Sequence, residues 1–128
     1  MLRPTRFVWP DSTLVAVVDG DTVDVFLTLD VGFGRRLSGP QRLRLNRIDA
    51  YKVTSPAGQD AARLVAAELS HAPFTVETLK PYKYGGNLAA AEYMAEVVLP
   101  DGRNLSDVLL TAGLALSYDG RGPRPTES

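Results

Sequence analysis

The chain has 128 residues, 45% of them apolar, with 14 lysines and arginines against 15 aspartates and glutamates and a net charge of −1. That length and apolar share predict one domain with a core of its own, not two. No cysteine and a single histidine, His71, exclude disulfide scaffolds, thiolate zinc sites, cysteine nucleophiles and multi-histidine metal sites, so a metal would have to be held by oxygen.

Residues 1–12 read as a proline-punctuated arm, 13–119 as the folded domain and 120–128, rich in glycine, proline and charge, as a flexible tail. Leu14 to Val18 is a β-branched run stopped by Asp19-Gly20-Asp21, which predicts a buried strand and a turn. Thr22 to Leu29 alternates Val23, Val25 and Leu27 with Asp24, Phe26 and Thr28, as a half-buried strand does. Asp30 to Pro40 carries three glycines and a proline and reads as a hairpin connection or an extended flap. Gln41 to Ile48 is the third predicted strand and leads into Asp49.

Thr54-Ser55-Pro56 supplies a helix start, serine as cap and proline at the first helical position, and Ala61, Leu64, Val65 and Leu69 form the buried stripe. The helix ends near Ser70 to Pro73. Phe74 to Thr78 is a strand, Lys80 to Gly86 a polar loop, Asn87 to Ala91 a small-residue stretch and Tyr93 to Leu99 the last long strand. Pro100-Asp101-Gly102 turns the chain into a hairpin return, Arg103 to Leu105. Ser106 then caps a short helix, Asp107 to Ala112, closed by Gly113. This order predicts an α+β fold: a five-stranded, strongly curved antiparallel barrel of the OB type with two to three helices over its openings.

The chemistry gathers at the strand ends. Asp19-Gly20-Asp21 and Asp49 are, taken separately, a tight turn and a strand end in water. Brought into one cleft, their carboxylates would make a hard-oxygen site for calcium or magnesium, with Arg44 as a phosphate fork. His71 reads as a capping or surface residue and Trp9 as packing. Gly85-Gly86 and the Gly32 and Gly34 pair lack the spacing of phosphate-binding loops. No apolar run approaches the ~20 residues of a membrane span, and the opening residues lack the apolar stretch of a secretory signal. The expectation is a cytoplasmic protein, monomeric and without a membrane partner. With no basic excess, a nucleic-acid role would rest on a local patch.

In order and spacing, Val17-Val18-Asp19-Gly20-Asp21-Thr22-Val23, Leu43 to Ala50, Gly58 to Ala62, Lys83-Tyr84-Gly85, Asp101-Gly102 and Leu109 to Ala115 resemble the staphylococcal nuclease (thermonuclease) family across residues 14–120. The resemblance implies an OB barrel and calcium-dependent endonuclease hydrolysis of DNA and RNA phosphodiesters, with single-stranded DNA or RNA as partner. It places Asp21 and Asp49 at the calcium carboxylates, Ala50 at a carbonyl ligand and Arg44 on the scissile phosphate, where it opposes developing charge. Lys83, Tyr84 and Tyr118 fall where the family lines its nucleotide pocket. A bacterial or phage-encoded origin suits these traits.

Two positions depart from the pattern. Lys52 stands where the family carries its glutamate general base, and Gly86 where it carries a second arginine. A protonated lysine does not accept the water's proton, and losing one transition-state donor typically costs ~100-fold or more in rate, so weak or lost cleavage is expected. Three readings follow. In the first, a divergent nuclease recruits Arg42, Arg47, Arg121 or Arg124 for the lost arginine and Glu92 or Glu96 for the lost base. In the second, a non-catalytic nucleic-acid binder remains; in the third, a module for protein partners or structure. The Lys52 ammonium has two possible fates: to lie in the metal's place between Asp21 and Asp49, excluding calcium, or to bind phosphate while calcium stays.

Overall fold

The computed structural model describes residues 6–71, 73–83, 92–119 and 121–127. Strand β1, Phe7–Asp19, begins seven residues earlier than its apolar run suggests. Phe7, Trp9 and Ser12 pair with the fifth strand, so the second half of the predicted arm is sheet. The ladder is irregular between Trp9 and Ser12, where Pro10 has no N–H to give. Trp9 packs partly buried against the core, and its Nε1 donates to Thr78 Oγ1 at 3.2 Å.

Strands β2, Thr22–Gly32, and β3, Arg35–Leu45, form one long hairpin paired from Thr22–Arg44 to Gly32–Arg35. Asp30 to Pro40 is therefore a strand-paired hairpin end and not a flap, and the third strand starts six residues before Gln41. Asn46 and Arg47 then turn the chain into β4, Ile48–Ala50, with Arg47 at φ 71°. Helix α1, Pro56–Leu69, starts as expected: the Ser55 hydroxyl accepts from the Gly58 amide at 3.0 Å, and Pro56 opens the helix. A Cβ on Gly58 would lie 1.6 Å from the Lys52 carbonyl oxygen, so only glycine lets the incoming chain lie against this helix.

Strand β5, Phe74–Lys83, runs beyond the expected Thr78 and absorbs the first part of the predicted polar loop. Strand β6, Glu92–Val98, pairs antiparallel with β5 and parallel with β3, which closes the sheet in the order β1-β2-β3-β6-β5. The result is a closed five-stranded barrel with two helices among the described residues, an α+β architecture consistent with an OB-type barrel. It is mixed and not wholly antiparallel, because β3 and β6 run the same way.

The expected hairpin return at Arg103 to Leu105 is reduced to one bridge, Val98–Asn104. Helix α2, Leu105–Thr111, is capped two residues earlier than Ser106: Asn104 Oδ1 accepts from the Ser106 amide at 2.9 Å. Ser106 is buried and its hydroxyl donates to the Asn46 carbonyl, so it pins the turn between β3 and β4 instead. Strand β7, Ala115–Ser117, pairs with β4.

Val23, Val25, Leu43, Leu45, Val76 and Val97 fill the barrel, and Ala61, Val65 and Leu69 of α1 seal the end where β1 passes to β2. There a Cβ on Gly20 would meet the Ala61 and Ala50 methyls at 2.6 and 3.0 Å, so the Asp19-Gly20-Asp21 turn lies directly on helix and β4. No helix among the described residues is long and apolar enough to cross a membrane.

Candidate functional site: a closed carboxylate and arginine cluster

That close packing brings Asp21, Arg44 and Asp49 to one point. Asp21 immediately precedes β2, Arg44 lies opposite Thr22 near the end of β3, and the Asn46-Arg47 turn swings Asp49 back beside both. The turn is held by three bonds: the Asn46 amide donates to the Ala95 carbonyl, the Ser106 hydroxyl to the Asn46 carbonyl and the Tyr118 amide to the Arg47 carbonyl. Asp21, Arg44 and Asp49 are 1%, 4% and 0% exposed. Charges so deeply buried persist only when paired and hydrogen-bonded.

They are fully paired. Arg44 Nη2 lies 3.3 Å from Asp21 Oδ2 and 3.4 Å from Asp49 Oδ1. Asp21 Oδ1 accepts from the Thr22 hydroxyl at 3.0 Å and Oδ2 from the Ala50 amide at 2.9 Å. The remaining capacity is taken by the C-terminal segment. Arg124 Nε donates to Asp49 Oδ1 at 2.7 Å, while its Nη2 donates to Asp21 Oδ2 at 3.1 Å and also contacts Asp49 Oδ1. The Thr126 amide and hydroxyl both donate to Asp49 Oδ2, at 3.0 and 2.6 Å, and the hydroxyl lies 3.4 Å from the Ala50 carbonyl oxygen. Burial by itself pushes the Asp49 carboxyl up, but the two Thr126 bonds and the Arg124 guanidinium outweigh it and hold the group below the usual carboxylate range.

Residues 121–127, expected to be a flexible tail, are therefore folded onto the site. Asp119 accepts from the Arg121 amide at 2.9 Å, and the Tyr118 hydroxyl donates to the Gly122 carbonyl at 2.8 Å. A short 3-10 turn, Pro125–Glu127, then presents Thr126. Tyr118, assigned by resemblance to the nucleotide pocket, anchors this return.

Of the candidate replacement arginines, Arg124 reaches the carboxylates. Arg42 makes a two-pronged pair with Asp24 at 2.8 and 3.0 Å. Arg47 bonds Glu96, Asp107 and Asn104, and this engagement of its guanidinium with two carboxylates holds it protonated. Glu96 also accepts from Asn46 and Asn104, so it belongs to the brace under the β3–β4 turn. Arg121 is exposed.

Lys52 is exposed after β4, and its carbonyl accepts the Ser55 amide and hydroxyl. The backbone of Lys83 pairs with Glu92 at the end of β5. The Lys83 side chain, together with Tyr84, Gly86 and the stretch from Asn87 to Ala91, lies outside the described residues. Nothing in the local sequence around Arg124 and Thr126 places them in contact with Asp49. The available signal was the pair of prolines flanking Arg124, which stiffen a stretch otherwise composed like a loose tail.

As arranged, the cluster does not fit a calcium ion. Calcium takes six to eight oxygens, whereas the four carboxylate oxygens here already accept from two guanidiniums, two hydroxyls and two amides. Two positive side chains offset the two negative ones, which removes the attraction a divalent cation needs. Among the described residues, no three acidic or histidine side chains gather as a metal group. Compared with known protein families the chain matches none, and no curated protein matches it. Fold and site define a closed α+β barrel carrying a buried, charge-balanced aspartate and arginine pair of pairs.

Proposed function

We propose that this is a staphylococcal nuclease-like protein in which phosphodiester cleavage is weak or lost, and which acts on single-stranded nucleic acid by binding it. The observation that carries this reading is the cluster itself. Asp21, Arg44 and Asp49 meet where the family resemblance implies a cation and phosphate centre, yet every carboxylate oxygen is occupied by a donor of the chain's own. The Arg124 guanidinium stands between the carboxylates as a fixed positive charge. It can neither supply the open coordination positions of a metal centre nor generate a nucleophilic water.

Lys52 points the same way. An ammonium at the position of a general base leaves no carboxylate to draw a proton from water unless its pKa falls by several units. The Arg44 guanidinium is buried against two carboxylates, so it is spent on holding the cluster together and does not face a phosphate.

The test is incubation of the full chain with single-stranded DNA and RNA, with calcium and with chelator, beside Lys52→Glu/Gly86→Arg. The expected result is no calcium-dependent cleavage by the wild type, with retained oligonucleotide binding. Calcium-dependent cutting by the wild type at rates of about 1 per second or faster, the range of ordinary enzymes, would sink the proposal.

A further inference from the structure

We infer that the tip of the β2–β3 hairpin and the groove at the open end of the barrel form the surface that takes single-stranded nucleic acid. This rests on the nucleic-acid-binding reading above and gives it a place remote from the carboxylate cluster. The register separates the two: Thr22 pairs with Arg44 at the cluster, and Leu29 pairs with Leu37 at the other end of the same ladder. At about 3.3 Å per residue, that is roughly 23 Å along the strand.

Helix α1 seals the first end. At the second, a groove of about 610 Å³ is lined by Phe7, Trp9, Leu27, Leu37, Gln41 and Tyr93 among others, a size suited to a small planar ligand. Phe7 and Leu37 are 65% and 56% exposed at its rim. The Trp9 ring is held by its bond to Thr78, so it offers a fixed face. The Tyr93 hydroxyl has no partner among the described residues and is available to a base edge or a phosphate.

The hairpin continues this surface outward. Its two-residue turn, Phe33-Gly34, has both residues at positive φ, 59° and 72°. That turn favours Asn-Gly or Asp-Gly, and a bulky ring at its first position is out of place. Phe33 gains no packing in exchange, being fully exposed. An unfavourable backbone carrying an unpacked aromatic ring signals a role outside the fold.

Beside it, the side chains of Arg35 and Arg36 have no hydrogen-bond or ion-pair partner among the described residues. The same holds for the side chain of Lys80, two residues along β5 from the groove residue Thr78. The acid nearest the hairpin tip, Asp30, accepts from the Gly32 amide, and Glu77 near the rim pairs with Arg6. Exposed rings flanked by unpaired cations match stacked bases and their phosphates. An anionic bilayer could accept the tip, but its flat surface does not enter a concave groove; a flexible strand reaches both.

The test is fluorescence anisotropy of the full chain with labelled oligo(dT) and oligo(U) of about 12 nucleotides, on the order of one OB-fold site. Trp9 is the only tryptophan, so its emission reports on the groove directly. Oligonucleotide should quench it. Phe33→Asn should weaken binding about tenfold, as loss of a stacking ring does, while leaving the thermal midpoint unchanged or higher, since asparagine accepts positive φ readily. Arg35→Glu/Arg36→Glu should flatten the salt dependence by about 1.4 in the log-log slope, from ~0.7 per phosphate contact. Binding with unchanged Trp9 emission and unchanged variants overturns this surface but leaves the nucleic-acid reading standing. No binding by the wild type at low salt overturns both. Capture by phosphatidylserine vesicles, lost in Phe33→Asn and without any oligonucleotide binding, assigns the tip to membranes and overturns the proposal.

Discussion

Asp49 is fully buried yet charged, which the interior tolerates because five donor atoms from Arg44, Arg124 and Thr126 surround its two oxygens. The two arginines contribute differently. Arg44 is itself buried and keeps Asp21 and Asp49 from repelling one another, whereas the side chain of Arg124 is 30% exposed, and water can partly replace it. Arg44→Met should therefore destabilise the chain by about 3 kcal/mol or more, the usual cost of breaking a buried ion pair by removing one partner. Arg124→Ala should cost less, roughly 1–2 kcal/mol, the worth of charged hydrogen bonds with some solvent access. Urea unfolding of both variants measures the order, and an equal or reversed order would contradict the burial argument.

At the scale of elements, what the sequence shows and hides follows from how each residue spends its chemistry. Asp21, Arg44 and Asp49 are picked out by the order and spacing of the motifs around them; taken alone, the glycine-bounded turn and the strand end read as structure. Helix α1 is legible down to its cap, since Ser55-Pro56 does locally what such pairs do. The start of β1 is not, because Phe7 to Ser12 pairs with a strand some 65 residues away in sequence, and a window around Pro10 cannot see that partner. Nor is the folding back of residues 121–127: composition measures what a segment would bury, and this one is held by hydrogen bonds to a buried carboxylate instead.

Gly58 offers a test at this scale. Alanine is the better helix former by ~1 kcal/mol, so propensity alone would have Gly58→Ala stabilise α1. Its Cβ would collide with the Lys52 backbone, and a clash with main chain is not relieved by a rotamer change. The expected outcome is a net loss of about 2 kcal/mol or more in urea unfolding, with the β4–α1 connection displaced. A neutral or stabilising result would show that the connection is looser than its hydrogen bonds from Ser55 suggest.

For the molecule as a whole, the barrel separates two surfaces. One end is sealed by α1 and carries a charge-balanced cluster closed by the chain's own C-terminal segment; the other is open, ring-lined and flanked by unpaired cations. Fold alone does not assign a function to either, because the chemistry lives in the side chains each end presents. The net charge of −1 is compatible with this division, because the basic patch the proposed nucleic-acid partner would need is local to the hairpin.

The closure of the carboxylate pair is the point on which the rest turns. A calorimetric calcium titration of the full chain at neutral pH tests it most directly. No saturable heat is expected, because Arg124 and Thr126 already fill the positions a cation would use. A saturable single-site isotherm, abolished by Asp49→Asn, would contradict it.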